Sequence, residues 1–441
     1  MSAPAPVSRG AERSRAGGLP LQGRREHRYL SGTFAELCRI ESPSLRERRC
    51  AERVIAELRA LGVAVHEDDA AARIGSDCGN LLARIPARPI SPSPSATDDD
   101  ACPKGNPARA REAAGERGEP AARPRSVLLC AHLDTVPLAA PVEPVLVDGF
   151  WENANDGILG ADNKAAVAVL LALARHVHEH GSPVDVELLF TVAEEISLEG
   201  SRAFDASQLR SQFGYVFDHA SPIGEIVLRS PSHFRITAAF HGAAAHAGIR
   251  PEQGRSAILA AARAVSSLPH GRLDEDRTVN VGTIAGGSAI NVVPEHCTLV
   301  AEVRAIPGAG REEQGRAEEL VAEVVDRVHD AANLPDCDCD VNVSVERTFA
   351  GFRLSPAAPA VRVAEAALRA CGHEPVGIAS GGASDANALI AQGFPTVNVA
   401  NGTERNHEPG ERVSVVALEQ MLAVALALLE QAAAVPDGRA V

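Results

Sequence analysis

The stretch Val127–Lys164, VLLCAHLDTVPLAAPVEPVLVDGFWENANDGILGADNK, decides the fold. Its first residues, Val127-Leu128-Leu129-Cys130-Ala131, form an apolar run that reads as a buried strand. The run ends in His132-Leu133-Asp134, which places two polar side chains at i and i+2, on one face of an extended chain. A further acid follows in Gly160-Ala161-Asp162-Asn163-Lys164, just before an Ala/Val/Leu segment that reads as a helix over residues 165–178. Strand end, loop acid and helix start are where α/β proteins place their chemistry.

Three more apolar runs end the same way. Residues 184–191 (VDVELLFT) lead to Glu194-Glu195, residues 213–217 to Asp218-His219, and Thr396-Val397-Asn398-Val399 to a glycine turn followed by Asn406-His407-Glu408-Pro409-Gly410-Glu411. Adjacent carboxylates at the end of a buried strand cost free energy unless a cation or a proton offsets them. Imidazole and carboxylate without thiolate suit a borderline divalent metal. Two histidines and several acids exceed the needs of one catalytic zinc, which favours two metals about 4 Å apart sharing a carboxylate. An acidic magnesium cluster is the alternative, which the histidines disfavour.

These motifs resemble the dinuclear zinc exopeptidases that include tripeptidase T, glutamate carboxypeptidases, aminoacylases and acetylornithine deacetylase. The resemblance is closest to the peptidase T-like members, through HLDTVP, GADNKAA, FTVAEE, HGAAAHAGIRPEQGRSAI and SGGASDAN, and extends over residues 27–430. It implies that His132 and Asp218 hold one metal, Glu195 and His407 the other, and that Asp162 bridges them. Asp134 would orient the His132 imidazole, and Glu194 would be the general base. Spacing alone leaves the roles of Glu194 and Glu195 exchangeable. The implied cofactor is two Zn2+ per subunit, with Co2+ or Mn2+ as substitutes.

The 441 residues exceed one ordinary core, so two domains are expected. Residues 1–26, rich in Pro, Gly, Ser and Arg, read as a disordered tail of a cytoplasmic protein, and residues 87–125 as a disordered insertion. The catalytic domain is expected over 27–224 plus 348–441. It should be α/β, with a mixed and mostly parallel sheet between helices.

A self-contained alternation occupies 225–347: strands at 233–240, 278–285, 298–306 and 340–347, and helices at 256–267 and 312–333. This reads as a small α+β domain with a four-stranded sheet and two helices. The family resemblance makes it a lid that supplies a homodimer contact.

Within the lid, His246 matches an Ala-His-Ala-Gly motif and would steady the oxyanion of the scissile carbonyl. Asn291 and Arg304 would bind substrate carbonyl or carboxylate, although Arg304 also fits a surface strand charge. Gly381 and Gly382 precede a helix start, where backbone N–H groups would cradle an anionic part of the substrate.

Lys and Arg number 43 against 58 Asp and Glu, a formal charge of −15, which disfavours nucleic acid as a partner. No run of 18 strongly apolar residues stands out, so no membrane span is expected. Nine scattered cysteines fit reduced thiols rather than a disulfide framework. The expected reaction is metal-assisted hydrolysis of short peptides from the amino end. Carboxypeptidase or N-acyl amino acid hydrolase activity is the alternative, and a non-catalytic small-molecule binder the reading from another class.

Overall fold

The computed structural model describes residues 21–90, 125–309 and 315–434. Residues 1–20 of the expected tail, 91–124 of the expected insertion and 312–314 of the expected second lid helix lie outside the described residues.

Four parallel strands form the heart of a nine-stranded sheet. Ser126–His132 lies between Asp185–Thr191 and Phe213–His219, and Thr396–Ala400 continues beside Phe213–His219. Their alternate side chains divide between the two faces: Val127, Leu129 and Ala131 join the larger apolar cluster, and Leu128 and Cys130 the smaller one opposite. That period of two, with both faces apolar, is why these runs are continuous rather than alternating in sequence. Leu81–Ile85 and Glu225–Ser230 flank the core antiparallel, which makes the sheet mixed.

Helices Leu21–Cys38, Arg48–Ala60, Ala161–His180, Pro359–Ala370 and Val415–Ala434 cover the larger face. Ala161–His180 is buried continuously from Ala161 to Ala174, because its small and aliphatic side chains face helices on one side and the sheet on the other. Each fully buried leucine here, such as Leu170, is worth about 2 kcal/mol of transfer free energy.

Several sequence expectations are corrected. Leu21–Cys38 begins inside the segment assigned to the tail, and Ala87 and Arg88, assigned to the insertion, are hydrogen-bonded to Asp185 and Ser182. Val415–Ala434 is long and apolar enough to cross a membrane by length and composition, which its abundant alanine concealed. It packs against Ala161–His180 and Pro359–Ala370, so this chain's own helices cover much of its apolar surface.

Glu225–Ser230, placed with the lid at first, belongs to the large sheet through its pairing with Thr396–Ala400. The unit inserted after it runs from Ser232 to Phe349 and has its own apolar cluster, including Ile236, Phe240, Leu299, Val324 and Val328. Its sheet has five strands rather than four. The extra one is the two-residue edge strand Gly271–Arg272, too short to leave a periodic signal. Helices Ala257–Ser267 and Arg316–Ala332 pack against this sheet and each other.

The chain enters the unit through Pro231 and leaves through Ala350-Gly351, where Phe352 pairs with Ser230. A Cβ on Gly351 would stand 2.6 Å from the Pro231 carbonyl carbon, so only glycine fits the crossing.

A third, small sheet was not anticipated. It joins Pro144–Val147 and Phe150–Asn153 to Arg412–Ser414 and Thr403–Glu404. Residues 405–411, which include His407, are thereby carried on a hairpin anchored to the loop that precedes Asp162.

Candidate metal centre

Parallel strands present all their carboxyl ends at one edge, and register completes the alignment: His132 pairs with Thr191, and Cys130 with Val216. His132, the Glu194–Glu195 turn and Asp218 therefore meet at that edge.

The two nitrogens of His132 face different ways. Nδ1 lies 3.0 Å from the Asp134 carbonyl oxygen and 3.3 Å from Asp134 Oδ1. A proton on Nδ1 leaves Nε2 as the ligand nitrogen. Nε2 lies 3.3 Å from Asp162 Oδ1 and 3.7 Å from Asp218 Oδ1. On the other side, His407 Nε2 is 3.2 Å from Asp162 Oδ2 and 3.0 Å from Glu195 Oε1. Asp162 thus offers one oxygen to each imidazole.

These side chains form two trios, His132–Asp162–Asp218 and Asp162–Glu195–His407, each with ligand atoms within 4.8 Å of one another. Zinc bound at about 2.0–2.1 Å in a tetrahedron has ligand–ligand edges of about 3.3 Å, close to the separations here. The electrostatics agree with a cationic occupant. Burial, reinforced by Asp218, raises the Glu194 carboxyl well above its ordinary range. Burial, together with Asp162, raises Asp218 to about 8. Burial alone would lower His132, but hydrogen bonds to Asp134, Asp162 and Asp218 outweigh it and hold the imidazole high. Too many carboxylates share two imidazolium protons, and divalent ions remove that deficit. The residues present fit a metal pair.

Asp134, fully buried, braces more than His132. Its carboxylate accepts from the backbone N–H groups of Glu194 (3.0 Å) and Glu195 (3.1 Å) and from Ser44 Oγ (2.7 Å). One carboxylate therefore fixes an imidazole and the turn carrying both glutamates.

Three buried acids escaped the sequence reading. Glu411 accepts from the N–H groups of Leu159, Gly160 and Asp162 at 2.8, 2.7 and 2.8 Å, locking the loop that presents Asp162. Glu47 accepts from the Ala193 N–H at 3.0 Å, where the backbone turns with φ 52°. Asp385 accepts from Thr191 Oγ1 at 2.5 Å beneath the centre. An acid opening an apolar helix was the only local signal for Asp385; Glu47 and Glu411 are distant in sequence from their partners and had none.

The other residues singled out in the sequence lie apart from this cluster. His246 and Asn291 are neighbours on an exposed part of the 232–349 unit, where the Ala247 N–H donates to the Asn291 carbonyl at 2.9 Å. Arg304 bridges that unit to the large-sheet portion: its Nη1 donates to the Gly381 carbonyl at 3.0 Å and its Nε to Glu302 at 3.2 Å. The expected anion cradle differs at Gly382, whose N–H donates to Ser380 Oγ at 3.1 Å. At the following helix start the Ser384 N–H is taken by Asn387 Oδ1 at 3.1 Å, and the Asn387 N–H by the Ser384 carbonyl at 2.8 Å.

In the metal-free protein these shifts make stability depend on pH. Asp218 rises from 3.8 to about 8, and hydrogen bonds to Asp162 and Glu195 lift His407 from 6.5 to about 10. Both folded values exceed the unfolded ones, so both groups favour the fold at low pH. That contribution is lost as pH rises, between about 4 and 8 for Asp218 and about 6.5 and 10 for His407. Chelator-treated protein is expected to melt at a lower temperature at about pH 9 than at about pH 5, with a smaller difference after metal loading. Equal melting temperatures in the chelated form would contradict the charge balance described above.

Comparison with known proteins gives a consistent result. The chain is 30% identical over 404 residues to the YqjE protein of Bacillus subtilis, covering 91% of this chain and 97% of that one. Its structure matches the aminopeptidase PepT of Bacillus cereus with a TM-score of 0.77 and 30% identity, covering 92% of this chain and 99% of that one. It matches a tripeptidase of Staphylococcus aureus with a TM-score of 0.79 and 28% identity over the same shares of each chain. The model of peptidase family M20/M25/M40 matches residues 128–431, which take in every strand end that builds the centre. The chain belongs to peptidase family M20/M25/M40.

Proposed function

We propose that the chain is a metal-dependent aminopeptidase that releases the N-terminal residue from short peptides, with two zinc ions at the buried centre. The observation that carries this reading is Asp162, with one carboxylate oxygen toward each imidazole and Glu194 at the same strand edge. The similarity to an aminopeptidase and a tripeptidase over nearly the whole chain supports the direction of cleavage.

His132, Asp162 and Asp218 would hold one ion, and Asp162, Glu195 and His407 the other; Co2+ or Mn2+ would substitute. When bound, the pair supplies Lewis acidity and a lowered pKa for water. Glu194 takes the proton of the attacking water on its carboxylate and returns it to the departing amine, a task suited to a carboxyl raised by burial. Asp134 keeps the His132 ring and the Glu194 backbone in place throughout.

His246 and Asn291 would meet the substrate carbonyl when the 232–349 unit closes as a lid, in a homodimer that brings them from the second copy. The described cysteines are free thiols and mostly buried, which suits a reducing compartment such as the cytoplasm.

A second reading, carboxypeptidase or N-acyl amino acid hydrolase, draws on one observation. Arg304 borders a cavity of about 280 Å³ with Ser380 and Gly381, where a carboxylate would find a guanidinium. Zinc-loaded protein incubated with matched tripeptides, dipeptides and N-acyl amino acids separates the two readings by product mass. Release of the N-terminal residue from tripeptides is expected. Cleavage confined to C-terminal or N-acyl bonds would transfer the assignment to the second reading.

A further inference from the structure

Far along the same helix that carries Asp162, a second group of metal-competent side chains stands at the surface. His176 and His180 are four residues apart near the end of Ala161–His180, so both project from one side of the helix. Their rings approach to 4.6 Å between centroids at 57°. Glu26, from helix Leu21–Cys38, reaches across: its Oε1 lies 3.1 Å from His176 Nδ1 and 3.7 Å from His180 Nε2. All three ligand atoms fall within 4.8 Å of one another.

We propose that Glu26, His176 and His180 form a separate binding site for a divalent transition metal such as zinc, which staples the first helix to the helix bearing Asp162.

Geometry and donor chemistry support it. The two Glu26 contacts, 3.1 and 3.7 Å, bracket the ligand–ligand edge of a tetrahedral zinc site, about 3.3 Å for bonds of 2.0–2.1 Å. Two imidazoles and one carboxylate are a donor set that zinc accepts with a fourth position left for water. A small space of about 10 Å³, bordered by Glu26, Tyr29 and His176, has room for about one water-sized ligand.

Two cations nearby are already engaged: Arg88 Nη2 donates to the carbonyls of Val177 and His178 at the helix end, at 3.1 and 2.6 Å. Arg175 Nε donates to Glu179 at 3.0 Å, and its guanidinium lies 4.8 Å from the centre of the Tyr29 ring. Each ligand is 20–30% exposed, so metal enters without unfolding.

A metal here binds only the folded arrangement, since the unfolded chain separates Glu26 from His176 by 150 residues. It therefore adds stability by mass action. The site stands apart from the buried centre and does not depend on the proposed reaction.

The test compares wild type with the Glu26→Gln/His176→Gln/His180→Gln variant, each dialysed against a zinc buffer of roughly 1 µM free metal. Zinc is counted by mass spectrometry, and melting temperature is measured with and without it. The variant is expected to hold one zinc fewer per chain, to show a smaller zinc-induced rise in melting temperature, and to retain wild-type hydrolysis. Equal zinc content in the two proteins would overturn the proposal and leave a hydrogen-bonded triad. Because the readout is a difference, it holds whatever number of ions the buried centre takes. If the triple variant does not fold, His180→Gln alone is read by the same two outcomes.

Discussion

Replacing Glu194 with glutamine is expected to leave the metal content unchanged while lowering kcat by roughly 10⁴-fold, the upper range for removal of a general acid–base group. Glutamine keeps the size of the side chain, and the backbone N–H at this position still donates to Asp134. The turn should therefore survive. What would be lost is the carboxylate proposed to receive a proton, in a buried position next to Asp218. KM should change little, because Glu194 lies outside the two trios that share Asp162, although with His132 and Glu195 it forms a third group of ligand atoms within 4.8 Å of one another. Measuring kcat, KM and bound metal together decides the matter: activity within tenfold of wild type would transfer the base role elsewhere, with Glu195 the first alternative. Loss of metal would instead make Glu194 a ligand.

Asp162→Ala should be more damaging still, because it strikes both halves of the centre at once. Its two oxygens face different imidazoles, so one truncation removes a donor from each trio. Bound metal is expected to fall from two ions per chain to one or none, and hydrolysis by more than about 10⁴-fold, since metal and nucleophile are lost together. The fold should persist, because Glu411 holds the Asp162 backbone N–H rather than its side chain. His407→Ala provides the contrast: it removes a donor from one trio only and should spare one ion. Retention of both ions in Asp162→Ala would refute the shared carboxylate.

The strand ends were legible because their signal is local. Val127–Ala131, Val184–Thr191, Phe213–Phe217 and Thr396–Val399 are apolar on both sides, and each stops at a residue that no core would accept without a partner. Their convergence follows once the strands are parallel. What the sequence concealed depends on contacts between distant segments. Glu411 reaches back to Asp162 across 249 residues, and Glu47 forward to Ala193 across 146. Neither acid is distinguishable in sequence from a solvated one. The small sheet behind His407 was hidden for the same reason, since Arg412–Ser414 finds its partner at Phe150–Asn153. Boundaries failed where composition misled: arginine and glycine masked the start of Leu21–Cys38, and alanine masked the apolar character of Val415–Ala434. His246 was singled out by motif and Arg304 by its place at a strand end, but their placement relative to the centre depends on the 232–349 unit, which short-range patterns do not orient.

The pairing of Ser230 with Phe352 has a topological consequence. The chain departs from the large sheet and returns to it at neighbouring rungs of one ladder, so everything between is, to that sheet, a single loop. A loop closed at its base is exchangeable: it lengthens, shortens or is replaced without rethreading any strand, and the entropic cost of closure grows only slowly with its length. The buried centre is assembled wholly from chain outside that loop. Selection acting on which molecules reach the centre is thus free to remodel the appendage, while the side chains of the buried centre stay fixed.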